Sequence, residues 1–149
     1  MQTAPYLIII MLLLIISALF SACEMAYSSV NRIRLKNYAL QGNKQAKKAL
    51  KIVDSFDDAL TSILIGNNVV NIASASLCTI LFTDLLGSKG VGISTAVMTI
   101  LVLIFGEISP KSIAKENAER FVLFFATPLS ACIWIMTPFV ITFSALKKL

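Results

Sequence analysis

The chain has 149 residues, of which 57% are hydrophobic and only 14% are charged. Soluble domains carry about a quarter charged residues, so this composition excludes an ordinary water-soluble domain and indicates one membrane domain. The net charge of +5 comes from residues in the polar gaps between apolar runs, and we therefore expect no nucleic-acid binding. The chain contains no histidine, which excludes His-dependent triads and His-ligated zinc or haem. With no activated nucleophile or acid/base pair evident, we do not expect an enzyme.

The first apolar run begins at Pro5 and extends to about Val30, which at ~1.5 Å per residue is long enough to cross a bilayer. A signal peptide is disfavoured because the first basic residue is Arg32. In the second half of this run, polar residues recur at spacings that place them on one helix face, namely Ser17, Ser21, Glu24 and Ser28. A packing seam of small residues would explain the serines, but a carboxylate on such a seam needs a partner.

The polar segment 31–54 carries seven basic residues, and Gly42 and Asn43 divide it into two predicted short helices. Because basic residues concentrate in cytoplasmic loops, we place this segment in the cytoplasm and the N-terminus outside. The segment is expected to lie against anionic lipid headgroups.

The second predicted span covers residues 59–86 and carries amides near its cytoplasmic end. Asn67 and Asn71 are four residues apart and share a face, whereas Asn68 points elsewhere. Two such amides either bridge to neighbouring helices or bind an ion, and this helix alone leaves both explanations open.

The third predicted span covers residues 91–109 and ends in the sequence GEISPK, residues 106–111. Pro110 has no N–H, so the carbonyl of Gly106, four residues earlier, has no helical partner. Glu107 lies beside that carbonyl, and an ionisable residue at membrane depth is a functional hypothesis by default. This sequence therefore indicates a cation site.

The last apolar run, residues 121–146, contains Pro128 and Pro138. We expect a bent, partly re-entrant or interfacial helix pair that returns to the cytoplasm, where the C-terminus lies. The predicted fold is an all-α membrane protein with three transmembrane helices, cytoplasmic juxtamembrane helices and this bent C-terminal segment.

The polar residues of the three spans lie at similar predicted depths, with Ser21 at ~15 Å, Asn67 at ~12 Å, Asn71 at ~18 Å and Glu107 slightly shallower. The predicted ligands are all oxygen atoms, which suits Mg²⁺, Ca²⁺ or Na⁺ rather than zinc or copper. Five of them come from Ser21, Asn67, Asn71, Glu107 and the Gly106 carbonyl. Glu24 or water would complete the charge or the coordination.

Three segments resemble the membrane domain of the CorC/CNNM magnesium transporters: FSACEMAYSSVNRIRL at 20–35, LIGNNVVNIASASL at 64–77 and GEISPKSIA at 106–114. The resemblance implies a homodimer in the lipid bilayer of the cell inner membrane that exports Mg²⁺ in exchange for Na⁺. It implies a Mg²⁺ environment at Ser21, Asn67, Asn71 and Glu107, with Gly106 and Glu24 as weaker candidates. Many relatives have glycine and serine where this chain has Ala22 and Cys23, so no role that relies on those residue types is carried over.

In that family the membrane domain continues into nucleotide-binding CBS domains, so we expect residues 1–149 to be a single membrane domain of a longer protein. Nucleotide binding is expected only in those further domains. The alternative function is a membrane-anchored Mg²⁺ sensor or regulator that controls another transporter.

Overall fold

The computed structural model describes residues 3–147, except for the side chains at 143, 144, 146 and 147, and this part of the chain is helical without strands. Its α-helices are α1 Thr3–Ser29, α2 Arg32–Leu40, α3 Lys44–Asp54, α4 Phe56–Leu86, α5 Gly90–Leu101, α6 Ser109–Glu116 and α7 Ala118–Lys147. A 3₁₀ turn, Gly87–Lys89, joins α4 to α5, and a π-helical segment, Val102–Ile108, joins α5 to α6.

Three helical stretches in the described range are long and apolar enough to cross a membrane, namely Thr3–Ser29, Phe56–Glu116 and Ala118–Thr142. The second stretch folds back at its 3₁₀ turn, so that α5 packs against α4. Gly87 has a φ of +65°, a conformation that favours glycine, and a Cβ at Gly90 would collide with the backbone carbonyl of Phe82. The two arms of this hairpin are the predicted second and third spans, and the all-α membrane fold is confirmed.

The polar segment after α1 forms the two short helices that the sequence predicts. Asn31 caps α2, with its side chain accepting a hydrogen bond from the Arg34 amide at 3.1 Å. Asn43 caps α3 by accepting from the amides of Gln45 and Ala46 at 3.0 and 3.1 Å. Asparagine at these positions satisfies backbone donors that a new helix leaves without partners, which explains why the chain breaks there.

The C-terminal run differs from the prediction because α7 is one continuous helix rather than a pair. Pro128 and Pro138 both lie inside it. Each proline removes only one backbone donor, and the packing around the first of them holds the helix together. Ala126 and Leu129 flank Pro128 and are both buried, as is Val122 one turn earlier.

The buried apolar residues form two clusters separated by a polar layer. One cluster lies towards the α4–α5 turn and contains Ile10, Leu14, Cys78, Leu81 and Met98. The other joins the opposite ends of α1 and α4 to α2, α3, α6 and α7 and is rich in alanine. Between them, Ser17, Ser21 and Ser74 are fully buried and Asn67 is 7% exposed. Because buried polar groups need partners, this layer is where a site is expected.

Candidate cation site

The centre of the polar layer is the hydroxyl of Ser17 on α1. Its Oγ lies 2.8 Å from Oδ1 of Asn67 and 2.7 Å from Oδ1 of Asn71, both on α4. One turn along α1, Ser21 Oγ accepts a hydrogen bond of 3.4 Å from Nδ2 of Asn67. Asn68 is exposed, as the helical spacing predicts. The structure therefore joins the predicted residues Ser21, Asn67 and Asn71 through Ser17.

The hydrogen bonding of Ser17 has an imbalance of donors and acceptors. A serine hydroxyl carries one proton, so it donates to only one of the two amide oxygens at any moment. The other amide oxygen then faces an oxygen lone pair at hydrogen-bond distance. Either a cation between these oxygens or a turn of the Asn71 amide that brings its Nδ2 to Ser17 would remove that repulsion, and carbonyl and hydroxyl oxygens are ligands for hard cations.

Gly106 lies directly opposite Ser17. A Cβ at this position would lie 3.1 Å from Ser17 Oγ and 3.7 Å from Ser17 Cβ. That first distance is shorter than an ordinary van der Waals contact, so any larger residue would push against the serine. The absence of a side chain at 106 thus allows the third span to approach the polar layer.

Gly106 belongs to the π-helical segment Val102–Ile108, whose last cap bond runs from the Ser109 N–H to the Ile104 carbonyl. This bond has the i to i−5 spacing that defines a π-helix, and such segments occur frequently at functional sites. Pro110 follows at once and has no N–H. Pro110 therefore donates neither to the Phe105 carbonyl, five residues earlier as in a π-helix, nor to the Gly106 carbonyl, four residues earlier as in an α-helix. One carbonyl beside the polar layer thus loses its donor.

The two predicted carboxylates are placed differently from the amides and hydroxyls. Glu107 is half-buried, and no ion pair in the described part of the chain includes it. The Glu24 carboxylate lies 3.1 Å from the Nζ of Lys111 on α6. The structure therefore groups Ser21, Asn67, Asn71 and Gly106 around Ser17, while Glu24 pairs with a lysine.

The donor set is not that of a resident transition-metal site. Residues 3–147 contain no group of three or more His, Cys, Asp or Glu side chains that could hold a metal ion. The atoms that meet at Ser17 are instead amide and hydroxyl oxygens, with the backbone of Gly106 packed against them and Glu107 as the next residue of the chain. Such a set fits a hard cation.

Sequence reasoning missed two features of this site. Ser17 shares a face with Ser21 four residues later, but that spacing also suits a helix-packing seam, and only the cross-helix bonds distinguish the two roles. The π-helical segment is only weakly signalled in the sequence, by the proline of GEISPK. A proline indicates that a backbone donor is missing, but it does not indicate a change from α-helical to π-helical hydrogen bonding.

The fold and the site define an integral membrane protein with an oxygen-lined polar layer between its helices. Residues 8–149 match the family described as the cyclin M (CNNM) transmembrane N-terminal domain, and the chain belongs to this family.

Several curated proteins are similar to this chain. A UPF0053 protein of Haemophilus influenzae is 40% identical over 133 residues, which cover 89% of this chain and 32% of that protein. The UPF0053 inner membrane protein YfjD of Escherichia coli is 44% identical over 105 residues, 70% of this chain and 24% of that protein. The chain thus spans about a third or less of these relatives' length.

Proposed function

We propose that this domain exports Mg²⁺ across the membrane in exchange for Na⁺, with the ion passing between α1, α4 and the π-helical segment. The observation that carries the proposal is the convergence of the Asn67 and Asn71 amide oxygens on the single proton of Ser17. Membership of the CNNM family and the resemblance to magnesium transporters support Mg²⁺ as the ion.

The proposed ligands for Mg²⁺ are Ser21, Asn67, Asn71, Glu107 and the Gly106 carbonyl, to which Ser17 is now added. Mg²⁺ requires about six oxygens at ~2.0–2.1 Å and gives up its water reluctantly. The oxygens of Ser17 and the two asparagines are hydrogen-bond distances apart, so they would bind a partly hydrated ion after small side-chain rotations. Glu107 would provide one negative charge, which leaves the ion incompletely neutralised and free to leave.

Na⁺ accepts the same oxygen donors, which makes competition between the two ions at one layer chemically reasonable. A groove of about 370 Å³ between α4 and α5 reaches this layer at Asn71. Its polar lining includes Asn68, Thr79, Ser94, Thr95 and Thr99.

Charge supports the proposed orientation, and the family resemblance supports the proposed assembly state. Seven basic residues in 31–54 favour a cytoplasmic position for α2 and α3, with the N-terminus outside and the C-terminus cytoplasmic. We place the domain in the cell inner membrane as a homodimer. Crosslinking in a lipid nanodisc that yields only monomer would remove the dimer from this proposal.

The decisive experiment measures Mg²⁺ flux in proteoliposomes with and without a Na⁺ gradient. Asn71→Ala and Glu107→Gln should each lower the flux at least about tenfold, because one charge-assisted ligand contributes roughly 1.5–3 kcal/mol. Asn68→Ala is the matched control, since this exposed amide lies next to the site residue Asn67 but outside the layer, and its flux should stay near wild type.

Two outcomes would contradict the proposal. Unchanged Mg²⁺ flux in correctly inserted Asn71→Ala and Glu107→Gln proteins would exclude the proposed site. Mg²⁺ binding without any flux, under an imposed Na⁺ gradient, would instead identify a sensor or regulator of another transporter.

A further inference from the structure

The ion pair between Glu24 and Lys111 is the most enclosed of those in the described range. Its two side chains are 25% and 29% exposed, respectively, and Lys111 Nζ lies 3.1 Å from Glu24 Oε2. The other pairs, Arg32 with Asp54 and Arg34 with Glu119, each include a side chain that is more than 60% exposed. Those pairs lie among the polar helices, where water screens them and their contribution is small.

The Glu24–Lys111 pair is placed next to the polar layer on both helices that carry it. Glu24 follows Ser21 by three residues on the same face of α1, about 4.5 Å along the helix axis. Lys111 follows Glu107 by four residues, about one helical turn. The pair therefore lies one turn from the proposed ligands, towards the end of the bundle where α2 and α3 pack.

We propose that Lys111 is a tethered cation that neutralises Glu24 when no metal ion does, and that an ion entering or leaving the layer competes with Lys111 for this carboxylate. This inference rests on the proposed function, because it requires a cation to move through the layer. It assigns a role to Lys111, the last residue of GEISPK, and it makes Glu24 a residue that binds the ion in passing and not a permanent ligand.

The chemistry of lysine suits this role. A carboxylate that is three-quarters buried needs a counter-charge, and an ammonium group or a metal ion satisfies its oxygens equally well. Lysine carries a compact point charge on a flexible stem, so its Nζ swings away without moving α6. When Lys111 leaves, the Glu24 carboxylate is free to bind a divalent ion, and when Lys111 returns, the ion is displaced.

The alternative is that the pair only clamps α1 to α6, and the two roles predict opposite patterns in Mg²⁺ affinity. Under competition, Lys111→Met removes the competitor and tightens Mg²⁺ binding, whereas Glu24→Gln removes a carboxylate and weakens it. If the pair only holds α1 against α6, loss of either partner weakens the packing of these helices in the same way, so both variants would weaken Mg²⁺ binding.

The experiment is a Mg²⁺ binding titration by calorimetry on the purified protein in lipid nanodiscs. We expect Lys111→Met to lower the dissociation constant roughly three- to tenfold and Glu24→Gln to raise it by a similar factor, as expected for a partly screened charge. Lys115→Met is the matched control, because it removes the same charge from an exposed position one turn along α6. It should shift binding less than twofold.

A second variant covers the case in which Lys111→Met does not fold. Lys111→Gln keeps a hydrogen-bond donor for Glu24 without the charge and should also tighten Mg²⁺ binding. If both lysine variants leave the affinity unchanged or weaken it, the competition is overturned.

The outcome also separates this inference from the proposed function. If wild type binds Mg²⁺ and Asn71→Ala does not, while the Lys111 and Glu24 variants shift in the same direction, only the role of Lys111 fails. If wild type binds no Mg²⁺ and moves none, the proposed function fails and this inference with it.

Discussion

Two contacts between helices bring polar side chains together in the apolar part of this domain, and they are built differently. Between α4 and α5, Thr79 Oγ1 and Ser94 Oγ lie 3.2 Å apart. Each hydroxyl also lies 2.9 Å from a carbonyl of its own helix, that of Ala75 for Thr79 and that of Val91 for Ser94, so its single proton goes either to that carbonyl or across to the other hydroxyl. Between α1 and α4, the hydroxyl of Ser17 instead reaches across to two amide oxygens of the neighbouring helix.

The comparison distinguishes a structural polar contact from a candidate site. Hydroxyls that bond to their own helix need nothing from a neighbour, and such contacts hold membrane helices together at little cost. In the Ser17 layer two amide oxygens share one hydroxyl proton, so the layer is able to accept a further positive group. This difference is open to test at the site, then at its hydroxyl, and finally at the structural contact.

The largest effect is expected from Gly106→Val, which places a branched side chain against Ser17. A Cβ alone would lie 3.1 Å from Ser17 Oγ, so the further carbons force α1 and the π-helical segment apart. Overpacking of this kind costs about 1–3 kcal/mol of unfolding free energy. We therefore expect a lower unfolding temperature in detergent and loss of Mg²⁺ flux in proteoliposomes.

Gly92→Val is the control for this variant. A Cβ at Gly92 meets nothing within 4 Å, so its unfolding free energy should stay within about 0.5 kcal/mol of wild type. Wild-type flux in Gly106→Val would show that the third span does not need to approach Ser17, and the site would have to lie elsewhere.

A smaller effect is expected from Ser17→Ala, which removes the shared proton and one oxygen but creates no clash. Asn67 and Asn71 then present amide oxygens without their donor, which should cost about 1 kcal/mol of stability. Loss of one oxygen ligand should weaken Mg²⁺ binding by about tenfold. The measurement is the rise in unfolding temperature on adding Mg²⁺, which shrinks as affinity falls.

Ser76→Ala provides the comparison for Ser17→Ala. Ser76 is exposed on α4 and donates to the Ile72 carbonyl of its own helix at 2.8 Å. Its variant should keep the full stabilisation by Mg²⁺. If the two alanine variants respond equally to Mg²⁺, Ser17 is a packing residue and the imbalance of its hydrogen bonds has no functional meaning.

The sequence predicts the helices of this fold because length and hydropathy determine them directly. The apolar runs become α1 and the α4–α5 hairpin, and Asn43 breaks the basic segment where a capping residue is needed. The shared face of Asn67 and Asn71 also follows from spacing alone. The contact of the two asparagines with α1 near Ser21 depends on the antiparallel packing of α1 and α4. The similar predicted depths of these residues in the membrane are consistent with that packing.

The remaining features depend on contacts between distant segments. The partner of Glu24 is Lys111, 87 residues later, and no periodicity connects them. The role of Ser17 depends on two amides of another helix, and the π-helical segment depends on register changes that residue preferences do not encode. The continuity of α7 through Pro128 accompanies the burial of Val122, Ala126 and Leu129, which tertiary packing provides.

The smallest effect is expected from the double variant Thr79→Val with Ser94→Ala, which removes the structural polar contact while nearly keeping its shape. Each lost hydroxyl proton served a carbonyl that already accepts within its own helix, so the unfolding free energy should change by less than about 1 kcal/mol. Mg²⁺ flux should stay within about twofold of wild type, because neither residue belongs to the Ser17 layer. Both residues line the groove that reaches Asn71, so the same flux measurement also tests whether ions pass along this groove. A loss of flux without a loss of stability would mean that ions travel along this groove. The Thr79–Ser94 contact and the Ser17 layer would then both serve transport, and they would differ only in how tightly they bind the ion.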